Sequence, residues 1–175
     1  TSTMTGLSEA LGMMPLGTST IPAGDSRRLI AAEAVGRSIV ENVVNDLRPS
    51  KILTEGAFEN AIRLMAALGG STNAIVHLIA IAGRRGIHLP LSLFDKCSAE
   101  TPLLANIKPS GRHLLHSLHR AGGIPAVLKE ISAQLDLDRL TCTGETLGKA
   151  LQPARTHDAD VVRSPATAIA SGGAL

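Results

Sequence analysis

The 175-residue sequence predicts a mainly α-helical domain. Apolar residues recur at intervals of three and four along several segments, which is the spacing that places side chains on one face of a helix. Glycine and proline residues separate these segments, and the one clear strand candidate is residues 160–163. A chain of this length can bury a core of its own, so we expect the helices to pack together in one assembly.

The first three predicted helices occupy the N-terminal part of the chain. Residues 2–11 form the first, and a Pro-, Gly- and Thr-rich loop follows. The second opens near residue 25 and ends by residue 48, because Pro49 disfavours helix in its predecessor. The third begins after Thr54, a good N-cap. Two apolar faces result, one of Leu29, Ala32, Val35, Ile39, Val43 and Val44, the other of Phe58, Ile62, Met65 and Leu68.

Shorter helices are predicted further along the chain. Glycine pairs stop the helical pattern at residues 69–70 and 122–123, and Pro125 suits the first turn of a helix. The expected helices are residues 71–82, 91–98, 112–121, 125–135 and 144–151.

The strongest candidate site is the segment Gly69-Gly70-Ser71-Thr72-Asn73, between two predicted helices. The glycines end one helix and Ser71 can cap the next, so backbone N–H groups and small hydroxyls meet at a positive helix end that can hold an anion. The alternative is a helix–helix corner in which Ser71 only caps and the glycines allow close packing. His77 follows, and as a single histidine in an apolar helix it is expected to be a hydrogen-bonded core residue.

A second hydroxyl-bearing segment, Thr1-Ser2-Thr3-Met4, precedes or opens the first helix. Its hydroxyls can donate to an anion or to a cluster sulfur. The alternative is that it serves only to cap the helix.

Three histidines, His113, His116 and His119, are spaced to lie on one side of a helix and suggest a metal-binding module. However, no acidic residue lies between Glu100 and Glu130 to complete a ligand set. A solvated or interface helix face is the alternative. The two cysteines, Cys97 and Cys142, are far apart and do not form the pairs typical of a zinc site.

Composition excludes several classes of function. The net charge is +2 with scattered basic residues, and two Phe are the only aromatic residues, so no nucleic-acid partner is expected. Charged residues interrupt the longest apolar run, so we expect no membrane association. With no visible signal peptide, the sequence predicts a cytoplasmic protein.

Several motifs in a fixed order resemble the dihydroxy-acid and sugar-acid dehydratases, a family that includes 6-phosphogluconate dehydratase. They run through nearly the whole chain: Ser-Thr-Met at 2–4, Glu-Ala-Leu-Gly at 9–12, Ala-Phe-Glu-Asn-Ala at 57–61, Gly-Gly-Ser-Thr-Asn at 69–73 with His77, Pro-Ser-Gly at 109–111 and Ala-Gly-Gly at 121–123. The tail, with residues 160–163 and Gly172-Gly173, is similar to the crossing from the family's N-terminal α/β domain to its C-terminal barrel. The resemblance therefore implies two parts, the helical portion of that α/β domain at 1–158 and a crossing segment at 159–175.

The resemblance implies a hydro-lyase that converts a 2,3-dihydroxy acid or an aldonate to a 2-keto acid. Family members use an iron–sulfur cluster and a magnesium ion, and a serine of the C-terminal domain takes the C2 proton. The corresponding ligands and base fall outside these 175 residues, so we expect the chain by itself to bind neither cofactor and to be inactive. The full-length protein is expected to be a homo-oligomer.

The same resemblance places specific residues near the substrate or the cluster. Thr1, Ser2, Thr3 and Met4 would wall the site, Ser71, Thr72 and Asn73 would present a helix start toward it, and His77 would lie behind them.

One motif departs from the family, because His116-Ser117 stands where most members carry Glu-Asp. Loss of both carboxylates favours an alternative function, a stand-alone helical binding or scaffold module that has lost the catalytic ligands.

Overall fold

The computed structural model describes residues 2–172, and within them it confirms the mainly α-helical prediction. Nine α-helices and two single-turn 3₁₀ helices lie in this part of the chain. In order they are α1 (Ser2–Ala10), α2 (Arg27–Val44), α3 (Pro49–Ile52), α4 (Glu55–Leu68), α5 (Asn73–Arg84), α6 (Leu91–Glu100), α7 (Leu115–Arg120), α8 (Gly123–Glu130) and α9 (Leu147–Ala150), with the 3₁₀ turns Ser132–Gln134 and Pro165–Thr167.

Helix α4 is the centre of the core. Its predicted apolar face is buried, and Phe58, Ile62 and Met65 are completely inaccessible to solvent. Helices α1, α5, α6 and α8 pack around it, so α4 is covered on most sides. Such burial is the main favourable contribution to folding, at about 25 cal/mol for each Å² of apolar surface removed from water.

The strand prediction for residues 160–163 is wrong. The backbone N–H groups of Val161 and Val162 donate to the carbonyl of Asp158, so this segment is a turn. Val162 forms only an isolated antiparallel bridge with Ala105. The β-branched pair favours extended structure, but the described residues offer no neighbouring strand to complete a ladder.

Helix α7 begins at Leu115, three residues later than the sequence predicts. The preceding residues are held in a loop, where the backbone N–H of His113 donates to the Asn106 carbonyl and that of Lys108 donates to the His113 carbonyl. These bonds take the backbone groups that a longer helix would need.

Helix α2 forms as predicted, but none of its residues is buried. Seven large apolar side chains of α2 are exposed: Leu29, Ile30, Val35, Ile39, Val40, Val43 and Val44. One tether to the rest of the domain is the Asn42 side-chain amide, which donates to the Cys142 carbonyl over 2.9 Å. The helix thus presents an uncovered apolar face.

No helix between residues 2 and 172 is both long enough and apolar enough to cross a membrane.

Candidate functional site

A cavity of about 480 Å³ brings together four of the residues that the family resemblance placed near the substrate or the cluster. Ser2 and Thr3, at the start of α1, line it together with Ser71 and Thr72, at the start of α5. These two segments are far apart in the chain and meet because α1 and α5 both pack against α4.

The glycine corner joins the two helix starts. Gly69 ends α4 with φ of +59°, a left-handed conformation that glycine adopts without strain. A Cβ at Gly70 would lie 2.9 Å from Thr3 Cγ2, so only glycine allows α1 to approach this closely. The backbone N–H of Ser71 donates to Thr3 Oγ1 over 3.1 Å.

Capping by Ser71 and close packing at the glycines both occur at this corner, as expected for a simple helix–helix corner. The backbone N–H of Asn73 donates to Ser71 Oγ at 3.3 Å. The corner nevertheless opens onto the cavity, with Ser71 exposed at its edge. The two interpretations of this motif are thus compatible.

The other predicted site residues lie elsewhere. Met4 is partly buried against the core. Asn73 and His77 are exposed and do not line the cavity, and Thr1 lies outside the described residues. The core-histidine interpretation of His77 is wrong, because α5 buries the line of small and apolar residues Ala74, Leu78 and Ala82 and leaves His77 on its outer side.

Sequence reasoning missed the remaining walls of the cavity. Ser19 and Thr20 come from the loop between α1 and α2, and Lys108 and Ser110 come from the loop before α7. Neither loop has a periodic pattern that reveals which side chains point inward. A sequence signal existed only for the second, where Pro-Ser-Gly marks a turn.

Asn106 holds the loop that carries Lys108. Its buried side chain accepts a hydrogen bond from the backbone N–H of Arg112 at 3.0 Å and donates to the Asp160 carbonyl at 2.9 Å. A Cβ at Gly111 would collide with the Asn106 backbone, so glycine is required there. The loop is thus fixed against the cavity from two sides.

The described lining of the cavity carries positive charge and no negative charge. Lys108 is the one charged side chain among its described lining residues, and the N-terminus of α5 adds a partial positive charge. Ser19 contributes a buried hydroxyl to the wall. A ligand with a carboxylate and hydroxyl groups would satisfy these groups.

The donors on the cavity wall are hydroxyls, backbone amides and one ammonium group, and these residues do not fit an iron–sulfur cluster or a magnesium ion. No cysteine, histidine, aspartate or glutamate is among the described lining residues. Burial raises the pKa of both thiols, Cys97 and Cys142, so neither is activated as a thiolate. No cluster of three or more potential metal ligands occurs within residues 2–172.

The three-histidine metal hypothesis receives no support from the structure. His113 lies outside α7 and its Nε2 is 2.8 Å from Asp160 Oδ2, a hydrogen bond that lowers the pKa of that carboxyl. His119 Nδ1 is 3.0 Å from Thr20 Oγ1, and burial lowers the pKa of its imidazole. His116 is exposed. The three side chains therefore serve different contacts.

Comparison with known proteins identifies the family. Residues 1–150 match the model of the dihydroxy-acid/6-phosphogluconate dehydratase N-terminal domain. The chain belongs to this dehydratase family.

Individual relatives in the dehydratase family are similar over almost the whole chain. An L-arabinonate dehydratase from Rhizobium leguminosarum bv. trifolii is 46% identical over 95% of the chain, and a dihydroxy-acid dehydratase from Ignicoccus hospitalis is 49% identical over 93%. A dihydroxy-acid dehydratase from Methanothermobacter thermautotrophicus is 41% identical over 99%. The chain spans 29%, 30% and 32% of the length of these three relatives.

Proposed function

We propose that this chain is part of a hydro-lyase that removes water from a 2,3-dihydroxy acid or an aldonate and releases a 2-keto acid. The main support is the cavity, where motifs that are distant in sequence bring several hydroxyl side chains together beside the cation Lys108. Family membership supports the reaction class. An acid with neighbouring hydroxyl groups matches the chemistry of that wall.

In this proposal the chain binds and orients the substrate. Lys108 and the start of α5 attract the carboxylate, and the Ser and Thr hydroxyls exchange hydrogen bonds with the substrate hydroxyls. The iron–sulfur cluster and the magnesium ion are proposed for the full-length protein, with ligands from outside this chain. The base that takes the C2 proton is likewise proposed to lie elsewhere, and the 175 residues by themselves are proposed to be inactive.

The first experiment is a dehydration assay of the full-length protein. L-Arabinonate and an aliphatic 2,3-dihydroxy acid serve as substrates, and 2-keto acid formation is measured. Lys108→Met removes the cation, and loss of a charge-assisted hydrogen bond should raise KM about tenfold or more. Lys129→Met is the matched control, because Lys129 is an exposed lysine in α8 that does not line the cavity.

The assay distinguishes a result that supports the dehydratase proposal from one that refutes it. Turnover of either acid with a KM that responds to Lys108 and not to Lys129 supports the proposal. Absence of 2-keto acid from both substrates, in protein shown to contain iron, would refute it.

The alternative function, a stand-alone binding or scaffold module, is tested by the intact mass and iron content of the native protein. A product near 18.1 kDa without iron would support the module. A product about three times longer, in line with the relatives, would support the dehydratase.

We also propose that the full-length protein is a homo-oligomer and that a second copy covers α2. Leu29, Ala32, Gly36, Ile39 and Val43 repeat at alternating intervals of three and four, the spacing with which helices pair. The flanks of α2 carry both signs of charge, and Arg37 pairs with Glu33 within the helix. The exposed apolar face and its mixed rim suit an antiparallel copy of the same helix.

A further inference from the structure

Glu9 is a buried carboxylate that the proposed function leaves unused. It lies in the last turn of α1, and its exposed fraction is 0%. The backbone N–H of Gly17 donates to Oε2 and that of Ser19 donates to Oε1, each over 2.7 Å. Such short bonds to a carboxylate are typical of charge-assisted pairs. Glu9 therefore joins residues 17–19 to α1 at two points.

The turn that Glu9 holds is one wall of the cavity. Ser19 and Thr20 line that wall. Ser2 and Thr3, on another wall, belong to the same helix as Glu9. Because a helix of this kind is rigid, the two hydrogen bonds fix Ser19 relative to Thr3.

The folded state disfavours the ionised form of Glu9. Burial raises the pKa of the Glu9 carboxyl, although hydrogen bonds from the Ser19 side chain and from the backbone of Gly17, Ser19 and Thr18 act in the opposite direction. Since the folded state favours the protonated form, ionisation of Glu9 reduces the free energy of unfolding.

We propose that Glu9 is a positioning residue for substrate binding, which holds Ser19 where its hydroxyl meets a hydroxyl group of the acid. This inference rests on the proposed function. Glu9 itself is not among the residues that line the cavity, so it acts through the wall residue Ser19 that it holds.

The kinetic test uses Glu9→Gln in the full-length protein. The amide keeps the shape of the side chain but replaces one acceptor oxygen with an NH₂ group that faces a backbone N–H. We expect KM to rise about tenfold with kcat within about twofold, because binding common to the ground state and the transition state is lost. Glu130→Gln is the control: it is a half-buried glutamate that accepts from Thr156 Oγ1 at 2.9 Å, away from the cavity, and KM should not change.

A double-mutant cycle separates positioning from a general structural effect. Ser19→Ala should raise KM by itself, and Glu9→Gln should then add little, since both changes remove the same contact. Independent, multiplying effects of the two substitutions would overturn the proposal. If Glu9→Gln does not fold, Ser19→Ala must still raise KM without lowering kcat, and an unchanged KM would overturn the proposal.

A third measurement is independent of activity. In the 175-residue chain, the amide protons of Gly17 and Ser19 should both shift in the NMR spectrum on Glu9→Gln, while the amide of Ser71 stays in place. Unchanged Gly17 and Ser19 resonances would refute the two hydrogen bonds to Glu9, independently of the kinetic results. Lack of turnover in the unmodified full-length protein would instead refute the proposed function, and turnover with an unchanged KM in Glu9→Gln would refute the positioning role only.

Discussion

Replacing Gly70 by alanine should destabilise the domain and disturb the cavity together. The new Cβ would lie 2.9 Å from Thr3 Cγ2 and 3.1 Å from Met65 Cγ. Met65 is completely buried and cannot give way easily, so Thr3 has to move and its hydrogen bond from Ser71 is lost. Overpacking of this kind destabilises by about 1–3 kcal/mol, and a lost hydrogen bond adds about 1 kcal/mol.

The unfolded chain offsets part of that loss, because alanine has less conformational freedom than glycine, an effect of about 0.4–1 kcal/mol. The expected net change is therefore about 2 kcal/mol. Urea unfolding of the 175-residue chain, followed by far-UV circular dichroism because the chain has no Trp, should show a lower midpoint with an unchanged slope.

Gly83→Ala is the matched control for Gly70→Ala. Gly83 lies within α5 and a Cβ there would meet nothing within 4 Å, so alanine should stabilise by about 0.5–1 kcal/mol. The two substitutions should therefore change the free energy of unfolding in opposite directions. A Gly70→Ala chain as stable as the parent, with the Ser71 amide resonance unmoved, would refute the close approach of α1 to the corner.

Three further predictions concern stability, pH and assembly. Asn60→Ala should lower the free energy of unfolding by about 2–4 kcal/mol, because its buried amide bonds both the N–H and the C=O of Asp136; a change under about 1 kcal/mol in urea unfolding would contradict this. As pH rises from the ordinary glutamate pKa to the raised pKa of Glu9, the free energy of unfolding should fall, and Glu9→Gln should remove that component; identical pH profiles of the two chains would contradict it. In sedimentation velocity the chain should self-associate, and Ile39→Asp on α2 should abolish this while Val76→Asp on α5 does not; a monomeric parent chain would refute the α2 interface.

The helices could be predicted because their signals are local. The apolar face of α4, its left-handed end at Gly69 and the start of α8 near Pro125 follow from side-chain period and backbone preference over a few residues. Residues 160–163 show the limit of that reasoning. Their β-branched pair satisfies a strand pattern, but a strand needs a partner, and the partner is a property of the whole fold.

The candidate site divides in the same way. Ser2, Thr3, Ser71 and Thr72 could be found because they stand at helix starts, where unpaired backbone N–H groups and hydroxyls are expected. The sequence could not show whether His77 is buried. Most residues of α5 are apolar, so the side that faces the core is known only from the helices that pack against it. Ser19, Thr20 and Lys108 lie in loops without a period.

The residue pattern was enough for the helical class, the longer helices, the glycine corner and membership of the dehydratase family, but it did not reveal the short helix α3. Packing alone brought α1 and α5 together across Gly70, placed Glu9 at the Ser19 turn and left α2 uncovered by the described residues. The difference lies in the sequence separation of the residues that interact. Helix formation and capping depend on residues three or four positions apart, whereas a cavity depends on packing between segments that are tens of residues apart, and its position is fixed only when the core is complete.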